Sequence, residues 1–154
     1  MAKVPLTPCI GVCSTGIGDD VCRGCKRFAD EVVRWNGFNI EERRAVIQRL
    51  DKLLVETVKN KITIVDADRL KQQIQFQQIA FDEDKDPYCW VFELLRYGAS
   101  QIKTIEDFGI EINSEWKNIS LFKIKAAIDS DFYELSCAYY QRYIVPGQSQ
   151  QIIP

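Results

Sequence analysis

A chain of 154 residues can bury one ordinary core, or a small stapled module together with a modest second unit. Its composition, 46% apolar and 27% charged, excludes a disordered chain, and no run of about 18 apolar residues exists to cross a membrane as a helix. The net charge of −2 conceals an uneven split: residues 1–61 hold 11 Lys and Arg against 8 Asp and Glu, whereas residues 62–154 hold 9 against 14. That break argues for two units with different surfaces.

Met1–Pro8 lacks the apolar stretch of a secretory signal. The expected compartment is therefore cytoplasmic, where clustered thiols bind metals or do redox chemistry in preference to forming structural disulfides. Pro8 holds the chain extended before Cys9. Gly16, Gly18, Asp19 and Asp20 make the stretch from Ser14 to Val21 a loop. After Cys25 the spacing of Phe28, Val32 and Trp35 predicts a short helix, with Arg27 and Glu31 placed to pair on its polar side. Asn36-Gly37 ends it. Asn39 with Glu42 forms a capping-box pattern, and Val46, Ile47, Leu50, Leu53, Leu54 and Val58 trace the stripe of the helix that follows. The two helices are expected to fold back on each other as a hairpin.

Beyond Asn60 the pattern is weaker. Ile62–Val65 reads as a short strand or a buried link, and residues 68–81 as a helix, although Ile74–Gln77 also alternates as a strand would. Asp82–Asp86 is a polar turn, with Pro87 opening a helix whose apolar face carries Val91, Leu94, Leu95 and Ile102. Residues 104–118 look irregular. Two further helices are expected, near 119–128 and near 131–144, the latter with Phe132, Leu135, Tyr139 and Tyr143 inward. The expected division is a metal-binding domain over 1–60, a mainly helical domain over 61–144, and a poorly ordered tail over 145–154. The fold class is mainly α.

The chemistry concentrates at Cys9, Cys13, Cys22 and Cys25, in a chain without histidine. Cys22-Arg23-Gly24-Cys25 has the spacing of a metal knuckle, in which two intervening residues let both sulfurs reach one ion. Gly24 permits the backbone conformation such a turn often needs. Cys9 and Cys13 complete a tetrahedral set. Arg23, Lys26 and Arg27 offset the charge of four thiolates and lower their pKa values. With every position filled by protein, zinc in such a site is structural. An iron–sulfur cluster satisfies the same four cysteines and is the alternative. A redox pair at Cys22 and Cys25 is a third reading, lacking the expected βαβ context and leaving Cys9 and Cys13 unexplained. The isolated Cys89 and Cys137, each among aromatics, read as small buried apolar groups.

Pro8-Cys9-Ile10-Gly11-Val12-Cys13, then Val21–Arg27, then Glu31, Trp35 and Glu42-Arg43, resemble the DUF1289 family over about residues 7–55. The resemblance implies a bacterial cytoplasmic protein. It also strengthens the iron–sulfur alternative, because that family's cysteines are expected to hold such a cluster. It implies no activity. Where the family often has Gly-Arg-Thr after its last cysteine, this chain has Lys26-Arg27-Phe28, which alters the helix start and leaves the ligands intact.

No other chemistry converges. Without histidine the commonest acid–base group is missing, and no Gly-rich phosphate loop follows a strand. Asp66, Asp68 and the acidic run at 82–86 read as solvated turn carboxylates rather than cation ligands. Arg23, Lys26, Arg27, Arg34, Arg43, Arg44, Arg49 and Lys52 raise nucleic-acid binding, but Asp30, Glu31, Glu41, Glu42 and Asp51 interleave with them. Trp35 lies on an apolar stripe and reads as core rather than as a base-stacking platform. The function expected is that of a non-enzymatic, metal-binding interaction module for a protein partner. Zinc is favoured over iron–sulfur, nucleic acid is the weaker partner class, and no membrane contact is expected.

Overall fold

A computed structural model describes residues 7–146. The expectation of a tail over 145–154 lies almost wholly outside the described residues. The chain is mainly helical, as expected. Among the described residues it has five α-helices: α1 (Ala29–Arg34), α2 (Ile40–Lys59), α3 (Ala67–Phe76), α4 (Pro87–Gly98) and α5 (Leu121–Tyr139). Strands β1 (Ile62–Ile64) and β2 (Ile110–Ile112) form one antiparallel pair in the register Ile62–Ile112, Thr63–Glu111, Ile64–Ile110. No helix among the described residues is long and apolar enough to cross a membrane. Two compact units result: residues through Leu53 together with those from Asp131 onward, and Leu54–Ser130.

In the first unit, helix α1 begins where Glu31 reaches back to accept the Phe28 N–H at 2.9 Å. It ends through a 3₁₀ turn over Trp35–Gly37. Helix α2 starts on the expected capping box: Asn39 Oδ1 accepts the Glu42 N–H at 2.8 Å, and Glu42 Oε1 accepts the Asn39 N–H at 3.1 Å. Arg43 donates to the carbonyls of Trp35 and Asn36, while Arg49, further along α2, reaches Glu31 near the start of α1. That reversed order is the helical hairpin. The predicted Arg27–Glu31 pair is corrected: Glu31 forms a two-pronged ion pair with Arg49, at 2.6 and 2.7 Å. Arg49 stacks on Phe28 at 4.0 Å. A planar guanidinium can use its edge for a carboxylate and its face for a ring at once.

The second unit settles the ambiguous segments. Residues 62–64 are a strand, and β2 with its flanking 3₁₀ turns replaces the irregular stretch expected over 104–118. A three-residue strand carries too few alternations to be read from sequence. Asn113 fastens the pair, accepting from Thr63 Oγ1 at 2.6 Å and donating to the Lys59 carbonyl at 3.1 Å. Helix α3 is capped by Asp66, which accepts the Arg69 N–H, and buries Leu70 and Ile74. Helix α4 opens on Pro87 with Asp86 accepting the Tyr88 N–H at 2.9 Å. Cys89 is buried there, as expected.

The two helices expected over 119–128 and 131–144 are one: α5 runs unbroken to Tyr139 and continues as a π turn over Tyr140–Ile144. The gap between the two expected helices falls at Asp129-Ser130. Without Gly or Pro, however, such residues cost a helix only a few tenths of a kcal/mol each, about 0.5, and do not interrupt it. The inward residues also differ from those expected. Phe132 and Ser136 are buried, whereas Leu135 and Tyr143 are exposed.

Candidate metal centre

Residues Val21–Phe28 form a small hairpin that carries the second pair of cysteines. Val21 and Phe28 bridge, the Cys22 N–H donates to the Arg27 carbonyl at 2.8 Å, and the Lys26 N–H donates to the Cys22 carbonyl at 2.8 Å. The tight turn needs one left-handed residue, and that residue is Lys26 (φ 65°) rather than the expected Gly24. Gly24 serves a different need: a Cβ there would collide with the Val12 carbonyl. The glycine lets the strand carrying Cys9 and Cys13 pass against the knuckle.

Cys22 and Cys25 are buried, and Cys9 and Cys13 are exposed. Among the described residues no three His, Cys, Asp or Glu side chains converge at metal-binding distance. The structure brings Cys22 and Cys25 together and leaves Cys9 and Cys13 on the passing strand. That strand is nevertheless docked on both sides of Cys13. Val12 offers its carbonyl to the Cys22 thiol at 3.4 Å, and Ser14 Oγ accepts the Arg23 N–H at 2.8 Å. Cys13 Sγ lies 3.2 Å from Thr15 Oγ1, and Cys9 Sγ accepts the Gly11 N–H at 3.4 Å.

The electrostatics of the buried pair are uneven. Burial pushes the Cys22 thiol up, but hydrogen bonds to its sulfur from the backbone of Cys25, Ser14 and Gly24, and from the Cys25 side chain, outweigh it. The net result is a fall from 9.0 to about 7. Burial dominates at Cys25 and raises it, opposed by the Arg27 side chain, whose Nε donates to the sulfur at 3.2 Å. Arg27 is itself buried and lies over the Trp35 ring at 4.8 Å. Lys26 is buried as well, with Nζ donating to the Gly24 carbonyl at 3.0 Å. A buried guanidinium donating to one of two buried thiols is a charge arrangement suited to a thiolate.

The other predicted positions have structural uses. Of the basic residues, Lys26 and Arg27 are buried, and Arg43 and Arg49 are engaged with α1. Trp35 is buried, with the guanidinium groups of Arg27 and Arg43 at 4.8 and 5.8 Å from its ring. Asp66 and Asp86 cap helices, and Asp82 and Glu83 hold a turn through Asp84, Trp90 and Gln75. Val12 and Ser14, which hold the clip against the knuckle, carried no signal in the sequence beyond their place beside Cys13.

The second contribution that sequence reasoning missed comes from α5. Arg23 lies over the Tyr133 ring at 5.0 Å and Lys26 over Phe132 at 5.4 Å. Phe28 stacks on Tyr139 at 6.1 Å and meets Tyr140 edge-on at 5.1 Å. Cys137 is half-buried beside Tyr133, to which it is hydrogen-bonded, rather than packed as a plain apolar group.

The segment through α2 is thus a cysteine-bearing hairpin followed by a capped helical hairpin. Residues 7–54 match the model of a family described as a protein of unknown function (DUF1289). All four clustered cysteines fall within the match, which covers just under a third of the chain and stops where the first unit's N-terminal segment ends. No curated protein and no solved structure matches the chain.

Proposed function

We propose that Cys9, Cys13, Cys22 and Cys25 together bind one metal ion, with zinc preferred, and that the module so formed is a non-enzymatic interaction domain of the cytoplasm for a protein partner. The observation that carries this reading is the surrounding of Cys22. Backbone groups of Ser14, Gly24 and Cys25 and the Cys25 thiol direct hydrogen bonds at its sulfur, bringing it to about 7 against an ordinary 9.0. Such a cradle favours the thiolate, the form that ligates metal. Cys13 sits between Val12 and Ser14, both already in contact with the knuckle. Cys9 follows on the same exposed strand. Four thiolates would close the coordination sphere and leave no position for substrate, which makes the ion's contribution one of folding.

The iron–sulfur reading rests on the same residues and the same N–H···S donors, which also tune such clusters. A nucleic-acid role draws less support, since four of the eight basic positions are spent inside the unit. Anaerobic purification with metal analysis and an absorption spectrum tests the proposal. A colourless protein with one zinc per chain is expected. Brown protein with iron and acid-labile sulfide would replace zinc by a cluster, and metal-free protein with all four thiols open to alkylation would overturn metal binding.

A further inference from the structure

The family match ends at Leu54, yet the unit it belongs to is completed by residues from Asp131 onward. The contacts responsible are not spread over the module. They converge on the eight-residue hairpin that carries Cys22 and Cys25, and on the α2 arginine beside it. Arg23 and Lys26, inside and just after the knuckle, each place a cation over an α5 ring, Tyr133 and Phe132. Phe28, at the hairpin's far end, receives Tyr139 and Tyr140, and Arg49 lies between Phe28 and Tyr139 at 4.0 and 5.8 Å. On a helix those four rings form two adjacent pairs about two turns apart on one side, with the buried Ser136 between them.

We propose that the cysteine hairpin is a helix-docking seat, cationic at the knuckle and aromatic at Phe28, and that its occupant in this chain is the aromatic face of residues 132–140, held there only while the metal site is filled. The inference rests on the metal-binding reading above. A two-stranded hairpin of this length has little stability alone. This one also carries a left-handed lysine and two buried cations. A bound ion would fix the Cys22–Cys25 turn, and with it the positions of Arg23 and Lys26. The aromatic side chains close the seat from the opposite side. Loss of the ion frees the turn, and the cation–ring contacts lose their geometry together. The partner that such a seat fits is a helix with aromatic residues at i, i+1, i+7 and i+8, which the chain supplies to itself.

Side-chain footprinting with hydroxyl radicals, read residue by residue on the full-length protein, tests this, because it reports docking rather than helicity. With metal bound, Phe132, Tyr139 and Tyr140 are expected to be protected. Chelation under reducing conditions should raise their modification several-fold, and one equivalent of zinc should restore protection. Phe28→Ala should raise Tyr139 and Tyr140 modification while metal content stays unchanged. Continued protection of these rings after chelation has removed a measured equivalent of metal would overturn the inference and leave the metal site standing. Absence of metal from the purified protein would overturn both.

Discussion

The two units solve the same problem with different materials. In Leu54–Ser130 the large side chains withdrawn completely from water are aliphatic apart from Lys61: Val58, Ile62, Leu70, Ile74, Val91, Leu94, Leu95, Ile110, Ile124 and Ile128. Each such side chain contributes about 1.5–3 kcal/mol by leaving water. In the other unit the most deeply buried large side chain is Lys26, accompanied by Arg27, Cys22 and Cys25, and the apolar interior is Val21, Phe28, Trp35, Val46, Ile47, Leu50 and Phe132. Burying cations is unfavourable unless something negative meets them. If the proposed ion binds, its thiolates would supply that negative charge in the first unit.

The sharpest way to break that contrast is to remove the ligands. Cys22→Ser or chelation should abolish the cooperative unfolding of the first unit, a loss on the order of 10 kcal/mol if the ion drives folding as it does in small zinc modules. The 54–130 transition should persist. Calorimetry checks this: a single transition that shifts as a whole would show that the halves are not separable. Leu94→Ala probes the opposite half. Deleting a fully buried leucine should cost about 2–5 kcal/mol and leave metal content untouched. Urea unfolding with and without chelator would expose any coupling as a cost that changes with metal.

What could be read from the sequence divides along the same line. The Asn39–Glu42 box and the stripe of α2 are local patterns, and each stands in the structure as its residues imply. Arg49 is different. Its partners Glu31 and Phe28 lie some twenty residues away, and a charge on a helix face gives no hint of which carboxylate it will find. The same holds for α5, whose rings at 132, 133, 139 and 140 look like an ordinary apolar face until Phe28 and Lys26 are seen opposite. At the candidate centre the four cysteines were legible as candidate ligands. That Gly24 makes room for Val12 while Lys26 takes the left-handed turn was not, because both depend on where a second strand passes.

The Glu31–Arg49 pair gives the next smaller effect. Its side chains are only 13% and 16% exposed, so Glu31→Gln leaves a guanidinium poorly matched, at a cost of about 2–3 kcal/mol. The exposed Asp30–Arg34 pair should contribute about 0.3 kcal/mol by comparison. Thermal unfolding of both variants tests whether burial, not charge count, sets the difference. Metal uptake should also depend on pH in a defined direction. Cys22 ionises more readily folded than unfolded, so its contribution is present above the ordinary 9.0 and is lost as pH falls through about 7. Burial raises Cys25, whose proton an ion must displace. Zinc affinity should therefore weaken as pH falls, more steeply below about 7, where Cys22 also takes up a proton. Competition against a chromophoric chelator measures the slope, and a pH-independent affinity would refute thiolate ligation.

The smallest perturbations separate the halves most cleanly, because they change nothing but a helix end. Asn39 caps α2 in one unit and Asp66 caps α3 in the other, each accepting a backbone N–H, at 2.8 and 3.1 Å. Replacing either by alanine should cost about 1 kcal/mol in the metal-bound protein. After chelation the two must part. Asp66→Ala should keep its full cost, since α3 packs Leu70 and Ile74 into an aliphatic interior that no ion supports. Asn39→Ala should lose most of its cost, because a cap stabilises only a helix that is folded in the first place. Equal costs for the two caps after chelation would mean that the α2 start is held without the metal. The contrast between the units would then lie in their composition and not in what sustains them.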